Sequence, residues 1–294
     1  MLSMMDLYLL RYFLAVVETG SFTRAADRVF VTQPTLSAGI KKLEGQVGHV
    51  LFERSNRRVF LTDAGTRFLP RAKAILHECN MAMQVLEEAE TAPVLRLGVL
   101  ITLSNRAVGA LLTGFRKVMP HVAIELTDGT EQELANRLDD RSLDYALSLH
   151  RGENEDKAIP LKTEEYRFVL PPDHKLAGKA VISAEDLAED YMIVRSRCEV
   201  LSETSRYFTD RNVRPRLVYR TPNDSRALAM AAAGIGGTVV PESLVDERVH
   251  ACKLKGFDYT RRLALFKPSY KLPAGFETVG AAFEDFIANN WGNS

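Results

Sequence analysis

The sequence predicts an α/β protein: a helical head with a short hairpin, one long helix, and a C-terminal region of alternating strands and helices. Three observations predict it. Apolar residues recur at three- and four-residue spacing through the opening segment, interrupted by Gly20 and Gly48. A further helical pattern runs across residues 62–90. Beyond the break at Ala92-Pro93, short apolar runs alternate with helical patterns to the end of the chain, and such repeated βα units imply parallel sheets with helices on both faces.

The first helix carries Leu7, Leu10, Leu14 and Val17 as one apolar stripe and ends at Gly20. Ser21 or Thr23 can cap the second, whose Ala25 and Ala26 let a neighbour approach closely. Thr32 is an N-cap for the third, and Pro34 falls in its first turn, where a missing N–H costs little. Leu36, Ile40, Leu43 and Val47 form its apolar side, and Gly48 stops it. Residues 51–61 read as a hairpin, a wing with a polar Ser55-Asn56 turn and arginines beside it.

With those four apolar residues turned inward, Pro34, Ser37, Ala38, Lys41 and Lys42 fall on the outer side of the third helix, with Thr32, Gln33 and Thr35 at its leading end. Amides and hydroxyls at a helix N-terminus with lysines behind them suit a major groove. Gln33 can bond an adenine edge in two places and Ser37 can serve several bases. The lysines and the helix N-terminus favour phosphates. Arg54 and Arg57 of the wing can reach the backbone or the minor groove. Spacing alone leaves a second reading open, a three-helix bundle with an ordinary solvated face.

From Tyr12 to Ala26, through Val31-Thr32-Gln33-Pro34-Thr35-Leu36-Ser37 and Ile40-Lys41-Lys42-Leu43-Glu44, to Leu51-Phe52-Glu53-Arg54 and Leu61-Thr62-Asp63-Ala64-Gly65, the sequence resembles LysR-type transcriptional regulators. The match spans about the first 65 residues with order and spacing kept, and is looser beyond. It implies a winged helix-turn-helix over 1–61, a linker and dimerisation helix over 62–91, and an effector-binding region over 92–294. That region is expected to resemble periplasmic binding proteins, with subdomain I at about 92–165 and 267–294 and subdomain II at about 166–266. The resemblance brings Gln33, Pro34, Ser37 and Arg57 to base edges or grooves; Arg24, Thr32, Thr35, Lys41, Lys42 and Arg54 complete the expected DNA-binding set. One departure stands out. Relatives often carry a basic residue directly after the serine, where this chain has Ala38, followed by Gly39 inside the helix.

In the long helix, Phe68, Ala72, Ile75, Cys79, Ala82 and Leu86 form a heptad-like seam. It reads as a dimer seam, the alternative being a helix packed on its own domain. The resemblance implies an antiparallel dimer, often doubled to a tetramer, on double-stranded DNA with an inverted-repeat operator. RNA polymerase is a further expected partner.

Candidate strands after residue 92 are Val94–Leu100, Val122–Thr127, Leu143–Leu149, Tyr166–Leu170, Met192–Arg195, Arg216–Tyr219, Gly237–Val240 and Leu263–Phe266. Helices are expected from near Asn105, Glu131, Ala184, Glu199, Ser225 and Thr278. Ligands in such sheets lie beyond strand C-termini, at helix N-termini. Polar residues stand there: Thr102, Ser104, Thr130, Arg195, Ser196 and Asn223. The resemblance places a small-molecule effector between the subdomains near Thr102, Thr130, Arg195-Ser196 and Thr238. Arg195 and free helix N–H groups would favour an anion. Each hydroxyl or amide equally serves as an N-cap with no ligand.

The 294 residues carry 38 basic and 38 acidic side chains, so no global charge marks a nucleic-acid partner. Residues 1–61 nevertheless hold eight Lys/Arg (Arg11, Arg24, Arg28, Lys41, Lys42, Arg54, Arg57, Arg58) against five acids (Asp6, Glu18, Asp27, Glu44, Glu53). No apolar run reaches the ~20 residues of a membrane span, and the opening residues read as helix, not as an export signal. The 3 cysteines give no disulfide framework, and a cytoplasmic location is expected. Six scattered histidines have no metal spacing, Gly234-Ile235-Gly236-Gly237 lacks the rest of a dinucleotide fingerprint, and no catalytic motif appears. No enzyme activity, cofactor or metal is expected. Two rival readings are a solute-binding α/β protein with a helical appendage, and an oxidant-responsive regulator. The second uses Cys198 at a helix start, where a thiolate would be favoured; the region resembles peroxide-sensing members of the family, which implies that Tyr207 stands in the place of a resolving cysteine, with Cys252 further downstream.

Overall fold

Three helices and a two-stranded wing build the head. The computed structural model describes residues 5–54, 59–87, 92–152, 157–270, 272 and 275–291. Helix α1 (Leu7–Thr19) ends at Gly20 with φ 63°. In α2 (Phe22–Arg28) the Ser21 hydroxyl caps the Arg24 N–H, and in α3 (Gln33–Val47) the Thr32 hydroxyl caps the Thr35 N–H. Gly48 closes α3 at φ 73°, a left-handed turn that costs glycine little. The buried side of α3 is Leu36, Gly39, Ile40 and Leu43. The stripe of α1 is rotated from the expected one: Leu9, Leu10, Phe13 and Val16 are buried, while Leu7 is exposed. Aromatic packing decides this. The Phe13 ring lies 5.1 Å from Phe52 and 5.3 Å from Phe68, so the face carrying Phe13 turns inward.

The wing strands β1 (Phe52–Arg54) and β2 (Val59–Leu61) pair antiparallel. The Glu44 carboxylate ties β1 to α3 by accepting the N–H groups of Leu51 and Phe52 at 2.8 and 3.3 Å. Helix α4 (Asp63–Glu87) starts beneath it. The Thr62 hydroxyl accepts the Gly65 N–H at 3.0 Å and donates to the Val50 carbonyl at 2.7 Å. The expected dimer seam divides here. Phe68 and Ala72 pack into the head's own core, which corrects the reading of those two positions. Ile75 is 42% exposed, and the side chains of Ala82 and Leu86 lie outside those described.

In the C-terminal region, β3 (Val94–Leu100) lies between β4 (Ala123–Gly129) and β5 (Tyr145–Leu149), parallel to both. The all-parallel expectation fails beyond β5. β6 (Ala158–Leu170) and β12 (Thr260–Phe266) run antiparallel to each other, and β12 is antiparallel to β5. β6 then carries β10 (Thr238–Pro241) and β11 (His250–Leu254), both antiparallel, and β7 (Val181–Ile182) is parallel to β11. A separate parallel pair is formed by β8 (Tyr191–Arg195) and β9 (Arg216–Thr221). Residues 158–165 were hidden by Lys162, Thr163, Glu164 and Glu165, which interrupt the apolar run. Pro160 sits where the β12 register shifts, between Leu263 and Ala264, a place where a ladder tolerates proline.

Helices α5 (Asn105–Val118), α6 (Glu131–Asp139) and α9 (Glu277–Asn290) surround the first half; α7 (Leu201–Thr209) and α8 (Asp224–Ala232) belong to the second. The helix expected near Ala184 is only a 3-10 turn, Glu185–Leu187. One core gathers Leu97, Phe115, Tyr145 and Phe283; another gathers Phe168, Leu187, Phe208 and Phe257. The first half also touches α4. Buried Asp140 pairs with Lys73 at 3.1 Å, and Arg141, held at φ 62°, pairs with Glu78 and stacks on Tyr270.

Candidate functional site

The outer side of α3 matches the expected one. Thr32, Gln33, Pro34, Thr35, Ala38, Lys41 and Lys42 are exposed, and Ser37 is half-buried. Among the described residues, no partner holds the Gln33 amide or the Lys41 ammonium. Other members of the expected set are already engaged. The Thr32 and Thr35 hydroxyls meet at 2.8 Å. Lys42 pairs with Asp6 at 2.7 Å and lies over the Tyr8 ring; the Asp6 bond, then that to the Tyr8 hydroxyl, raises its pKa. Arg24 folds back onto the Thr19 carbonyl at 2.5 Å. Arg57 and the side chain of Arg54 lie outside the described residues.

The departure at Gly39 has a steric cause. A Cβ there would lie 2.6 Å from Cδ2 and 2.9 Å from Cε2 of the Tyr12 ring. Alanine's helix-propensity advantage of ~1 kcal/mol is therefore outweighed by the clash it would create.

The expected effector residues divide into caps and buried polar groups. Ser104 caps α5, Asn223 caps α8, and Thr130 forms a reciprocal capping box with Glu133 on α6. The free helix N–H groups that were to favour an anion are thus partly occupied. Nor is Arg195 free. It is 2% exposed, its Nε donates to Asp224 at 2.7 Å, and its Nη1 donates to the Val239 carbonyl at 3.1 Å. Arg195 is therefore corrected from an anion receptor to a neutralised strut. The Ser196 N–H bonds the Thr221 carbonyl, and Thr238 is buried on β10 opposite Val169. A cavity of about 370 Å³ joins the starts of α5 and α8, where the Asn105 amide reaches the Ser225 hydroxyl at 3.2 Å. Another of about 510 Å³, lined by His150, Lys162, Thr163 and Arg262 among others, includes none of the expected residues.

Thr102 is where the halves meet. Its hydroxyl contacts the Glu199 carboxylate and lies 3.1 Å from Nη1 of Arg261. Arg261 also donates to Glu199 at 2.9 Å, to Glu164 at 2.7 Å and to the Thr102 carbonyl at 3.2 Å. Tyr166 donates to the second Glu199 oxygen at 3.2 Å. Burial pushes the Glu199 carboxyl up, but Arg261 and Thr102 outweigh it and hold it below the usual carboxylate range. Sequence reading missed Glu164, Tyr166, Glu199 and Arg261. The available signal was a charge in an apolar strand, Arg261 just before Leu263-Ala264-Leu265 and Glu164 within β6.

Cys198 does not start a helix; it lies in the turn before α7, 3.4 Å from Nη1 of Arg195. Burial pushes its thiol up, against the pull of Arg195, so the expected thiolate is not favoured. Tyr207 donates to the Lys255 carbonyl, and Cys252 is buried with its thiol pushed up to about 12 by desolvation.

Comparison with known proteins gives two family profiles. One, described as a bacterial regulatory helix-turn-helix protein of the lysR family, matches residues 7–66. The other, the LysR substrate binding domain, matches residues 88–286. A probable hydrogen peroxide-inducible genes activator of Mycobacterium avium is 32% identical over 83% of this chain and 80% of its own. The regulator ShiR of Corynebacterium glutamicum is 32% identical over 79% and 81%. In fold, the chain is similar to full-length OxyR of Pseudomonas aeruginosa, with a TM-score of 0.65, 24% identity and coverage of 98% and 96%. It is likewise similar to CbnR in complex with its target DNA, with a TM-score of 0.66, 23% identity and coverage of 96% and 99%.

Proposed function

Because the chain belongs to the LysR family of transcriptional regulators, we propose that it grips operator DNA with the outer side of α3 and loosens or tightens that grip when a small molecule binds its C-terminal region. The observation that carries the reading is the division of α3: Leu36, Ile40 and Leu43 are buried, while Gln33 and Lys41 are exposed and, among the described residues, without a partner. Gln33, Pro34 and Ser37 read bases; Thr32, Thr35, Lys41, Lys42 and Arg24 position the backbone, with Arg54 and Arg57 of the wing. In this reading residues 1–61 serve as the head, 62–91 as the linker and dimerisation helix, and 92–294 as the sensor. The protein works as a dimer or tetramer in the cytoplasm on an inverted repeat, and it is a regulator without enzyme activity. Among the described residues no helix is long and apolar enough to cross a membrane.

The effector acts at the junction around Thr102, Thr130, Ser196 and Thr238, between the halves. Closure there shifts the first half against α4 through Lys73–Asp140 and Glu78–Arg141, and so the spacing of the paired heads. Only a ligand that binds one arrangement better than the other moves this equilibrium. Peroxide-inducible relatives invite a thiol signal instead, but the half-buried Cys198, whose thiol desolvation pushes up, supports the small-molecule reading.

Lys41→Ala tests the DNA face. It is expected to weaken binding to every duplex and to lower the slope of log affinity against log salt by about one. Fluorescence anisotropy across a salt series measures both. A slope equal to wild type removes Lys41 from the phosphate contacts.

A further inference from the structure

We infer that Thr102, Tyr166 and Arg261 form a carboxylate-binding site that the chain's own Glu199 occupies, so that an effector carboxylate acts by displacing Glu199. The inference rests on the proposal that a small molecule signals through the C-terminal region.

The site is complementary to a carboxylate at both oxygens. One Glu199 oxygen takes the Thr102 hydroxyl and Nη1 of Arg261; the other takes the Tyr166 hydroxyl. The donors come from separate segments: the turn after β3, the middle of β6, and β12. All three are 4% exposed or less, and the Glu199 side chain is 5% exposed. Convergence of buried donors on one carboxylate is the arrangement used to recognise a ligand carboxylate, and an arginine prong makes its bonds strong.

The two carboxylates on Arg261 differ in how they are held. Glu164 lies within a strand, and its other oxygen accepts the Ser243 N–H at 2.9 Å. It is a fixed counter-ion. Glu199 lies in the turn between β8 and α7, outside any strand or helix. Its departure would leave three buried donors unsatisfied, which is costly unless another acceptor replaces it. A carboxylate ligand restores every bond, so the exchange conserves both charge and hydrogen bonds. Glu199 meanwhile belongs to the second half and Thr102 to the first, so displacement releases a tie across the junction.

The tether also sets a threshold. A group on a short flexible link competes at an effective concentration on the order of millimolar. A bare monocarboxylate at lower concentration leaves Glu199 in place, and an effector must add contacts; the cavity lined by Ser104, Asn105 and Ser243 borders the cluster through the Ser243–Glu164 bond.

The test compares full-length wild type, Glu199→Ala and Glu199→Gln, each titrated with acetate by calorimetry and footprinted on an operator fragment selected from genomic DNA. Glu199→Ala is expected to bind acetate at least about tenfold tighter than wild type, because the tethered competitor is gone. Its acetate-bound footprint is expected to differ from that of unliganded wild type. Glu199→Gln, whose neutral amide fits the same space, should bind acetate with intermediate affinity; it carries the test if the alanine variant fails to fold. No tightening in either variant overturns the carboxylate site. A wild-type footprint on acetate-bound Glu199→Ala would mean that vacating the Glu199 position leaves the DNA complex unchanged, and overturns the displacement. Binding of ethylammonium to wild type, with none of acetate to the variants, would assign the site to cations and overturn it as well. Failure of wild type to bind any DNA would instead strike the regulatory reading and is seen separately.

Discussion

Arg261→Ala is expected to destabilise the C-terminal region by about 3–5 kcal/mol, the range for removing one partner of a buried ion pair. Arg261 is 4% exposed and serves two carboxylates that are themselves buried, Glu164 and Glu199. Truncation leaves both negative charges without their cation and opens a void at the junction. The loss should depend on pH. In wild type the Glu199 carboxyl is held below its ordinary range, so its ionised form contributes stability above that range and loses it as pH falls. Without Arg261 the sign reverses: burial then favours the protonated acid, and the variant should recover stability as pH drops through the carboxylate range. Urea unfolding at pH 7 and pH 5 measures this. A variant as stable as wild type at pH 7, or one that weakens further at pH 5, would show that the cluster contributes little. Arg261→Lys should recover only part of the loss, since one ammonium cannot reach Glu164, Glu199 and the Thr102 carbonyl together.

Gly65→Ala is expected to cost about 3 kcal/mol or more, at the upper end of overpacking penalties. A Cβ on Gly65 would lie 2.2 Å from the Leu51 carbonyl oxygen and 2.8 Å from Cδ2 of Leu61. The first neighbour is backbone, so no rotamer change relieves it. The carbonyl also accepts the Thr62 N–H at 3.0 Å, and Thr62 anchors both Gly65 and Val50. Relief requires α4 to lift away from the base of the wing, taking Phe68 and Ala72 out of the head's core. Thermal unfolding should fall first in the head, and DNA affinity should fall with it. Unchanged stability would mean that α4 is not seated on Leu51.

Local features were legible in the sequence, and assembled ones were not. The Thr32 cap, the Gly20 and Gly48 stops and the two-sided α3 depend on residues within a few positions of each other, and they stand where the pattern put them. The α1 stripe was misjudged because Phe52 and Phe68, remote in sequence, choose which side turns inward. β6 was half hidden because its junction-facing stretch is polar, and its polarity is what the ion-pair cluster needs. Arg195 looked free because its partner, Asp224, is contributed by another segment. The Thr102 junction draws on four separated segments, so periodicity could locate only Thr102 itself. The first half of the long-helix seam shows the same limit, since Phe68 and Ala72 suit a helix partner and the head equally by pattern.

The central claim is that the exposed end of α3 reads DNA sequence. Its most direct test measures the affinity of Gln33→Ala for a selected operator and for random duplex at the same salt concentration. Operator affinity is expected to fall by ~1–3 kcal/mol with binding to random duplex nearly unchanged. An equal loss on both duplexes, or none on either, would contradict base reading by α3.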